Sequence, residues 1–321
     1  MTLVTAPVLA AISRRSYLRA GAAALVLGAL SKGTAAASPV TPKTSAGELE
    51  TVMVPSTMGP VPVQIQWAHS GGGAALYLLD GLRASDAANG WAMKTTATQL
   101  FRHDDITLVM PVGGHGSWYA DWSEPPAAGD GPWLWETFLT QDLPRFLAGR
   151  GISPRRNALA GVSMGASAAL RIASRHSGQF VYVAALSGFL DWHSPGGVEA
   201  VRAITHAAGL DPNHLAPEGS AEWQRMDPYT FAPELRGMPM YISAASGVPD
   251  GCDVDCVTAT LGGVAIEVLA SESTHAFQAR LESLSIPAIF RYPALGTHSW
   301  RSWSAALEDA RPGLVAALIG S

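Results

Sequence analysis

The sequence predicts an α/β domain with a mostly parallel central sheet, helices on both faces and a helical insertion. Three observations carry that reading. Short apolar runs alternate with stretches of helical spacing, the pattern of strands buried on both faces. Two of the apolar runs end in Asp80-Gly81 and Gly113-Gly114, the kind of strand end where active residues gather in open α/β sheets. In "ALAGVSMGASAALRIASRH", residues 158–176, an apolar stretch gives way to a helix former across Gly161-x-Ser163-x-Gly165.

Near the N-terminus, "SRRSYLR" precedes the apolar run "AGAAALVLGAL" and the small residues of "TAAASP". Twin arginines before a short apolar stretch read as a twin-arginine export signal over residues 1–37, too short to span a bilayer as an anchor. Residues 38–50 are polar and proline-bearing and read as a linker, leaving 51–321 as the catalytic domain. "LETVMVPSTMGPVPVQIQW" alternates like two strands around a Met-Gly-Pro turn. "AALYLLDGL", "DITLVMPVGG", "FVYVAALSGFL", "MPMYISAAS" and "IPAIFRYPAL" read as further strands. "WLWETFLTQDLPRFLAGR" has helical spacing, with Trp135, Phe138, Leu139 and Leu143 on one face. Residues 191–236 have weak periodicity and many Pro, Gly and His residues, which suits a helical insertion over the site.

The net charge is −5, and the signal segment contributes Arg14, Arg15, Arg19 and Lys32 with no acidic residue. The mature chain is therefore more acidic still and repels polyanions, so nucleic acid is not an expected partner. Cys252 and Cys256 share the loop "GCDVDC". In an exported protein this reads as a small disulfide. Metal binding through Asp253 and Asp255 is the rival, but two thiols without a histidine pair fall short of a zinc site. No metal and no cofactor is expected.

Ser163 has the form of a nucleophile elbow, in which a sharp turn lifts a hydroxyl above the end of a strand. The pentapeptide alone is weak, because a chain with 33 glycines makes such spacings by chance. A serine also needs a base to take its proton, and a carboxylate to hold that base in the right tautomer. His298, in "GTHSW" just beyond the last apolar strand, has the best position among nine histidines. His103, His115, His193, His206, His214 and His275 lack that context and read as surface or capping residues. The chain order serine, acid, histidine puts the acid between 163 and 298. Asp250 ends "YISAASGVPD" directly after a strand, while Glu267 sits among Val264, Ile266, Val268 and Leu269 in "GGVAIEVLASEST". Pattern alone leaves both open.

"VPSTMG", "YLLDGLRASDAANGW", "VMPVGGHGSWYADW", "WETFLTQDLPRFL", "GVSMG" and "GTHSWRSW" resemble the secreted mycolyltransferases of the antigen 85 family, from about residue 50 to the C-terminus. The resemblance implies an α/β-hydrolase fold that moves a mycolyl chain between trehalose units and onto envelope arabinan. It implies Ser163 as nucleophile, His298 as base and Glu267 as acid, with Phe277 ten residues further on. Backbone N–H groups of Leu82 and Met164 would form the oxyanion hole, the second also being what an elbow predicts. Asp80 and Arg83 match the trehalose-contacting pair, and Ser299 and Trp300 match further sugar contacts. Lys94 stands where the family has a sugar-contacting asparagine. The cysteine pair that some relatives carry before "WETF" is absent from that place here. A catalytically silent branch has lost the serine, which this chain keeps. Other family members also bind fibronectin. The competing functions are therefore acyl transfer, simple secreted esterase activity with water as acceptor, and fibronectin adhesion. The ordered Ser, Glu and His favour catalysis.

Overall fold

Apolar runs that are buried on both faces pair into one eight-stranded sheet in the order β1-β2-β4-β3-β5-β6-β7-β8. The computed structural model describes residues 47–194, 196–251 and 257–320, all inside the unit Thr44–Ser321. The expected signal segment and the Cys252/Cys256 pair lie outside the described residues. The strands are β1 (Leu49–Val54), β2 (Val61–Gln66), β3 (Ala74–Leu79), β4 (Ile106–Pro111), β5 (Asn157–Val162), β6 (Phe180–Leu186), β7 (Met240–Ser243) and β8 (Ile289–Arg291). β1 and β2 form the expected hairpin, with the Gly59 N–H donating to the Ser56 carbonyl at 3.1 Å. β1 takes in Leu49 and Glu50, the last two residues of the stretch read as a linker. From β4 through β8 the pairing is parallel.

The helices are α1 (Gly90–Lys94), α2 (Ala97–Leu100), α3 (Trp135–Thr137), α4 (Leu143–Ala148), α5 (Met164–Arg175), α6 (Gly197–Ala207), α7 (Pro212–Leu215), α8 (Ala221–Met226), α9 (Pro228–Phe231), α10 (Val257–Ser283) and α11 (Trp300–Ile319). The side-chain period of two divides each central strand between two cores. Leu76, Leu78, Ala160 and Val162 meet Trp91, Leu307 and Leu314 on one face. Tyr77, Leu79 and Leu159 meet Leu143 and Leu170 on the other. Among the described residues no helix is long and apolar enough to cross a membrane.

The helical run "WETFLTQDLPRFLA" widens to a π turn over Phe138–Asp142. Pro144 has no N–H to give the Thr140 carbonyl four residues back, and its ring would crowd that oxygen. The Gln179 side chain donates to it instead, at 2.9 Å. The insertion after β6 supplies α6 to α9. It packs along α5 and beside the 115–118 loop, where the Trp118 indole N–H donates to Thr205 at 2.9 Å. α10 runs 27 residues and carries Glu267 near its middle.

α5 starts so close to the ends of β5 and β3 that side chains are excluded there. A Cβ on Gly161 would stand 2.1 Å from the Gly165 carbonyl oxygen, and one on Gly165 would stand 2.4 Å from the Asp80 carbonyl oxygen. Both obstacles are backbone, which cannot swing away. Gly165→Ala is therefore expected to destabilise by about 1–3 kcal/mol, the range of overpacked cores. Gly178→Ala, with nothing within 4 Å of its Cβ, is expected to stay within about 0.5 kcal/mol. Urea denaturation of both variants measures the contrast, and equal midpoints would contradict the close-approach account.

Candidate active site

The site forms where β3, β5 and β6 end. Ser163 leaves β5 at φ 54°, ψ −120°, a conformation rare for a residue with a side chain, and α5 begins at the next residue. Its N–H donates to the Leu186 carbonyl at 2.9 Å, continuing the ladder with β6. Its side chain is nearly buried and its hydroxyl has no hydrogen-bond partner among the described residues.

Glu267 is carried in from α10 and is completely buried. Its Oε1 accepts the Ser187 hydroxyl at 2.8 Å and the Ala245 N–H at 2.7 Å. Its Oε2 lies 2.8 Å from His298 Nδ1. The His298 N–H donates to the Gly263 carbonyl at 3.2 Å, tying the histidine loop back to α10. The Trp303 ring stands edge-on to the imidazole at 4.9 Å, and its indole N–H donates to Ser187 Oγ at 3.1 Å. Asp250, the other carboxylate in contention, pairs with Arg301 instead.

Ser187 was not singled out by sequence reasoning. It leaves β6 at φ 51° as Ser163 leaves β5, and its N–H donates to the Ser243 carbonyl at 2.7 Å. The strand-end rule that marks Ser163 applies equally to the serine after "VYVAAL". Tyr119 and Arg171 were missed too. The Tyr119 hydroxyl accepts the Asp80 N–H at 3.0 Å, and the fully buried Arg171 donates to the carbonyls of Trp118 and Tyr119 at 3.0 and 2.7 Å.

The N–H groups of Leu82 and Met164 have no partner among the described residues, Met164 because it opens a helix. Gly81, between Asp80 and Leu82, lies against Ser163: a Cβ there would be 3.3 Å from the Ser163 Cβ. Asp80 is buried, and both of its oxygens accept the Gly90 N–H, at 2.9 and 3.1 Å. Trp300 abuts Gly90 and packs edge-on to Trp91 and Trp303. Lys94 holds its ammonium 5.8 Å from the Trp300 ring centre, and Arg83 is exposed. Ser299 caps α11, accepting the Ser302 N–H at 3.4 Å. The insertion holds a separate pair, His193 Nδ1 at 2.5 Å from Asp227 Oδ2, in which Asp227 also caps α9. Among the described residues no group of three or more His, Cys, Asp or Glu side chains is placed to hold a metal ion.

A strand-end serine, with a histidine and a buried glutamate paired to each other, is the constellation of serine acyl transfer. A family model described as "Putative esterase" matches residues 55–314. The Mycobacterium avium diacylglycerol acyltransferase/mycolyltransferase Ag85B is 35% identical over 275 residues, which cover 83% of this chain and 82% of that protein. The chain belongs to the antigen 85 mycolyltransferase family. Another relative within it, the Mycobacterium tuberculosis Ag85A, is 36% identical over 322 residues, covering 96% of this chain and 92% of that one. The crystal structure of Mycobacterium tuberculosis MPT51 superposes with TM-score 0.73 at 27% identity, covering 84% of this chain and 99% of that one. An S-formylglutathione hydrolase from Agrobacterium tumefaciens, 16% identical, shares the fold at TM-score 0.66, covering 87% of this chain and 99% of that one.

In this antigen 85 family member, burial pushes the Asp80 carboxyl up to about 7, against the lowering effects of the Gly90 N–H and the Lys94 charge. An unfolded aspartate titrates near 4. Between about 4 and 7 the folded chain therefore binds more protons at this site than the unfolded chain, so this group makes stability fall as pH rises. Asp80→Asn should remove that part of the slope. Urea midpoints at several pH values between about 4.5 and 7.5 check this, and parallel curves for variant and wild type would contradict it.

Proposed function

We propose that this protein transfers a mycolyl chain from one trehalose monomycolate to another, giving trehalose dimycolate, through an acyl-enzyme on Ser163. The observation that carries the reading is the pairing of His298 Nδ1 with the buried Glu267 at 2.8 Å, in a chain whose Ser163 has the backbone of an elbow. The names of the relatives supply the substrate class.

In this mechanism His298 takes the Ser163 proton through Nε2 as Oγ attacks the ester carbonyl. Glu267 holds the imidazole by Nδ1 and stabilises the imidazolium. The oxyanion is received by the N–H groups of Leu82 and Met164, each such donor being worth roughly 3–4 kcal/mol in comparable sites. The imidazolium returns its proton to the departing trehalose oxygen. A hydroxyl of a second trehalose monomycolate then gives its proton to His298 and attacks the acyl carbonyl, and the imidazolium passes that proton to the departing Oγ, restoring Ser163. The open Ser163 hydroxyl is compatible with this cycle, since bonds of this kind tighten when substrate arrives.

Water at about 55 M competes for the acyl-enzyme, and a sugar wins only when held in place, where effective molarities reach about 10⁵ M or more. Asp80, Arg83 and Trp300 provide that hold, with Lys94 and Ser299 at its edge. The N-terminal twin-arginine segment exports the protein to the envelope, where such lipids and arabinan acceptors occur, and Cys252 and Cys256 are joined there.

Incubation of the purified protein with trehalose monomycolate, followed by lipid analysis, tests the proposal. Trehalose dimycolate and free trehalose are expected. Free mycolate as the sole lipid product at saturating substrate would make the protein an esterase. Glu267→Gln should lower turnover by about 10³–10⁴, because it disturbs the imidazole tautomer, while Asp250→Asn stays within a few-fold of wild type.

A further inference from the structure

We infer that the turn at Trp118–Tyr119 is a clamp that fixes the Asp80–Leu82 segment and Met164 relative to each other, with the Tyr119 hydroxyl as its positioning group. The inference rests on reading the Leu82 and Met164 peptides as the oxyanion donors.

Trp118 and Tyr119 sit at φ 52° and 47°, and both side chains are fully buried. Two consecutive aromatic residues in that region are a backbone outlier that the surroundings must enforce. Arg171 on α5 enforces it. Its side chain is completely buried, one Nη2 serves both turn carbonyls, and its Nε donates to Glu136 at 3.1 Å. A buried guanidinium with its counter-ion is an unusual device for holding two peptide oxygens, because an unpaired charge there would be very costly.

The turn reaches both halves of the site. The Trp118 N–H donates to Met164 Sδ at 3.1 Å, in the residue after the nucleophile. The Tyr119 hydroxyl accepts the Asp80 N–H, one residue past the last register pair of β3 with β5, Leu79 with Gly161. The hydroxyl therefore continues the strand's bonding towards Leu82. From the same loop the Gly116 N–H donates to the Leu82 carbonyl at 2.9 Å. Three bonds from residues 116–119 thus anchor both segments, at the Asp80 N–H and the Leu82 carbonyl on one side and at the Met164 side chain on the other, some eighty residues apart in the chain. Misplacement of a reacting group by about 1 Å costs on the order of 10²-fold in rate, so a brace of this kind bears on turnover.

Tyr119→Phe removes one of the three bonds and keeps the ring. Acylation is read from the nitrophenol burst with p-nitrophenyl butyrate, a probe that does not depend on mycolate or trehalose as substrate. The burst rate should fall about tenfold or more, with KM within about twofold. The preference for this ester over its thiono analogue should shrink as well, since a thiocarbonyl sulfur accepts the hole's hydrogen bonds poorly. A general loosening of the fold would leave that preference unchanged. A burst rate within twofold of wild type, or an unchanged preference alongside a lower rate, overturns the inference. Should Tyr119→Phe fail to fold, Met164→Leu keeps the volume and the peptide but removes the sulfur, and the same shrinkage is expected, its absence again overturning the clamp. Ser163→Ala runs alongside: a burst that survives it overturns the nucleophile reading and this inference with it. A silent Ser163→Ala with an unchanged Tyr119→Phe overturns the clamp alone.

Discussion

A carboxylate sealed from solvent is tolerable only when its oxygens are bonded, and Glu267 meets that demand from three separate segments. Ser187 after β6 and Ala245 after β7 take one oxygen, and His298 beyond β8 takes the other. Glu267 thereby cross-links the ends of two parallel strands to the histidine loop. Breaking a buried pair of this kind typically costs about 3–5 kcal/mol, so the group that orients the imidazole also knits the sheet's C-terminal edge. α10 brings both the acid and Gly263, whose carbonyl holds the histidine backbone. Orientation of the base and packing of the helix are one constraint.

Two serines leave neighbouring strands at nearly the same positive φ, 54° and 51°, and their hydroxyls end differently. Ser163 keeps a hydroxyl without a hydrogen-bond partner among the described residues, whereas Ser187 commits its hydroxyl between Glu267 and the Trp303 indole. The difference lies in the chain beyond each strand end. Behind Ser163 a helix starts at once, its Gly165 close against the Asp80 carbonyl, and the Met164 N–H is left without a partner among the described residues. Behind Ser187 the chain turns into the insertion, and Trp303 and Glu267 close over it.

The fold was legible where burial is complete on both faces. "AALYLL" and "ITLVMP" read as strands because no residue in either run faces solvent, and the elbow read as an elbow because its glycines are required by close approach. The carboxylate that pairs with His298 was not legible from pattern. Asp250 satisfies the strand-end rule and commits its carboxylate to Arg301, while Glu267 enters from a helix that the rule does not consider. The length of α10 was hidden by Gly262-Gly263 within it. Tyr119 and Arg171 carry no periodicity that sets them apart from core residues, and only a backbone outlier and a shared guanidinium expose them. The resemblance to a known family pointed to Glu267, the residue that pairs with His298, where pattern reasoning left Asp250 level with it.

The central claim is that Glu267 fixes which imidazole nitrogen carries the proton, leaving the other free for Ser163. Nitrogen-15 NMR of histidine-labelled protein, at a pH where the imidazole is neutral, measures this directly. The account predicts that His298 is protonated at Nδ1 with Nε2 bare, and that Glu267→Gln loses this preference. A His298 protonated at Nε2 in the wild type, or a tautomer unchanged by Glu267→Gln, would contradict it.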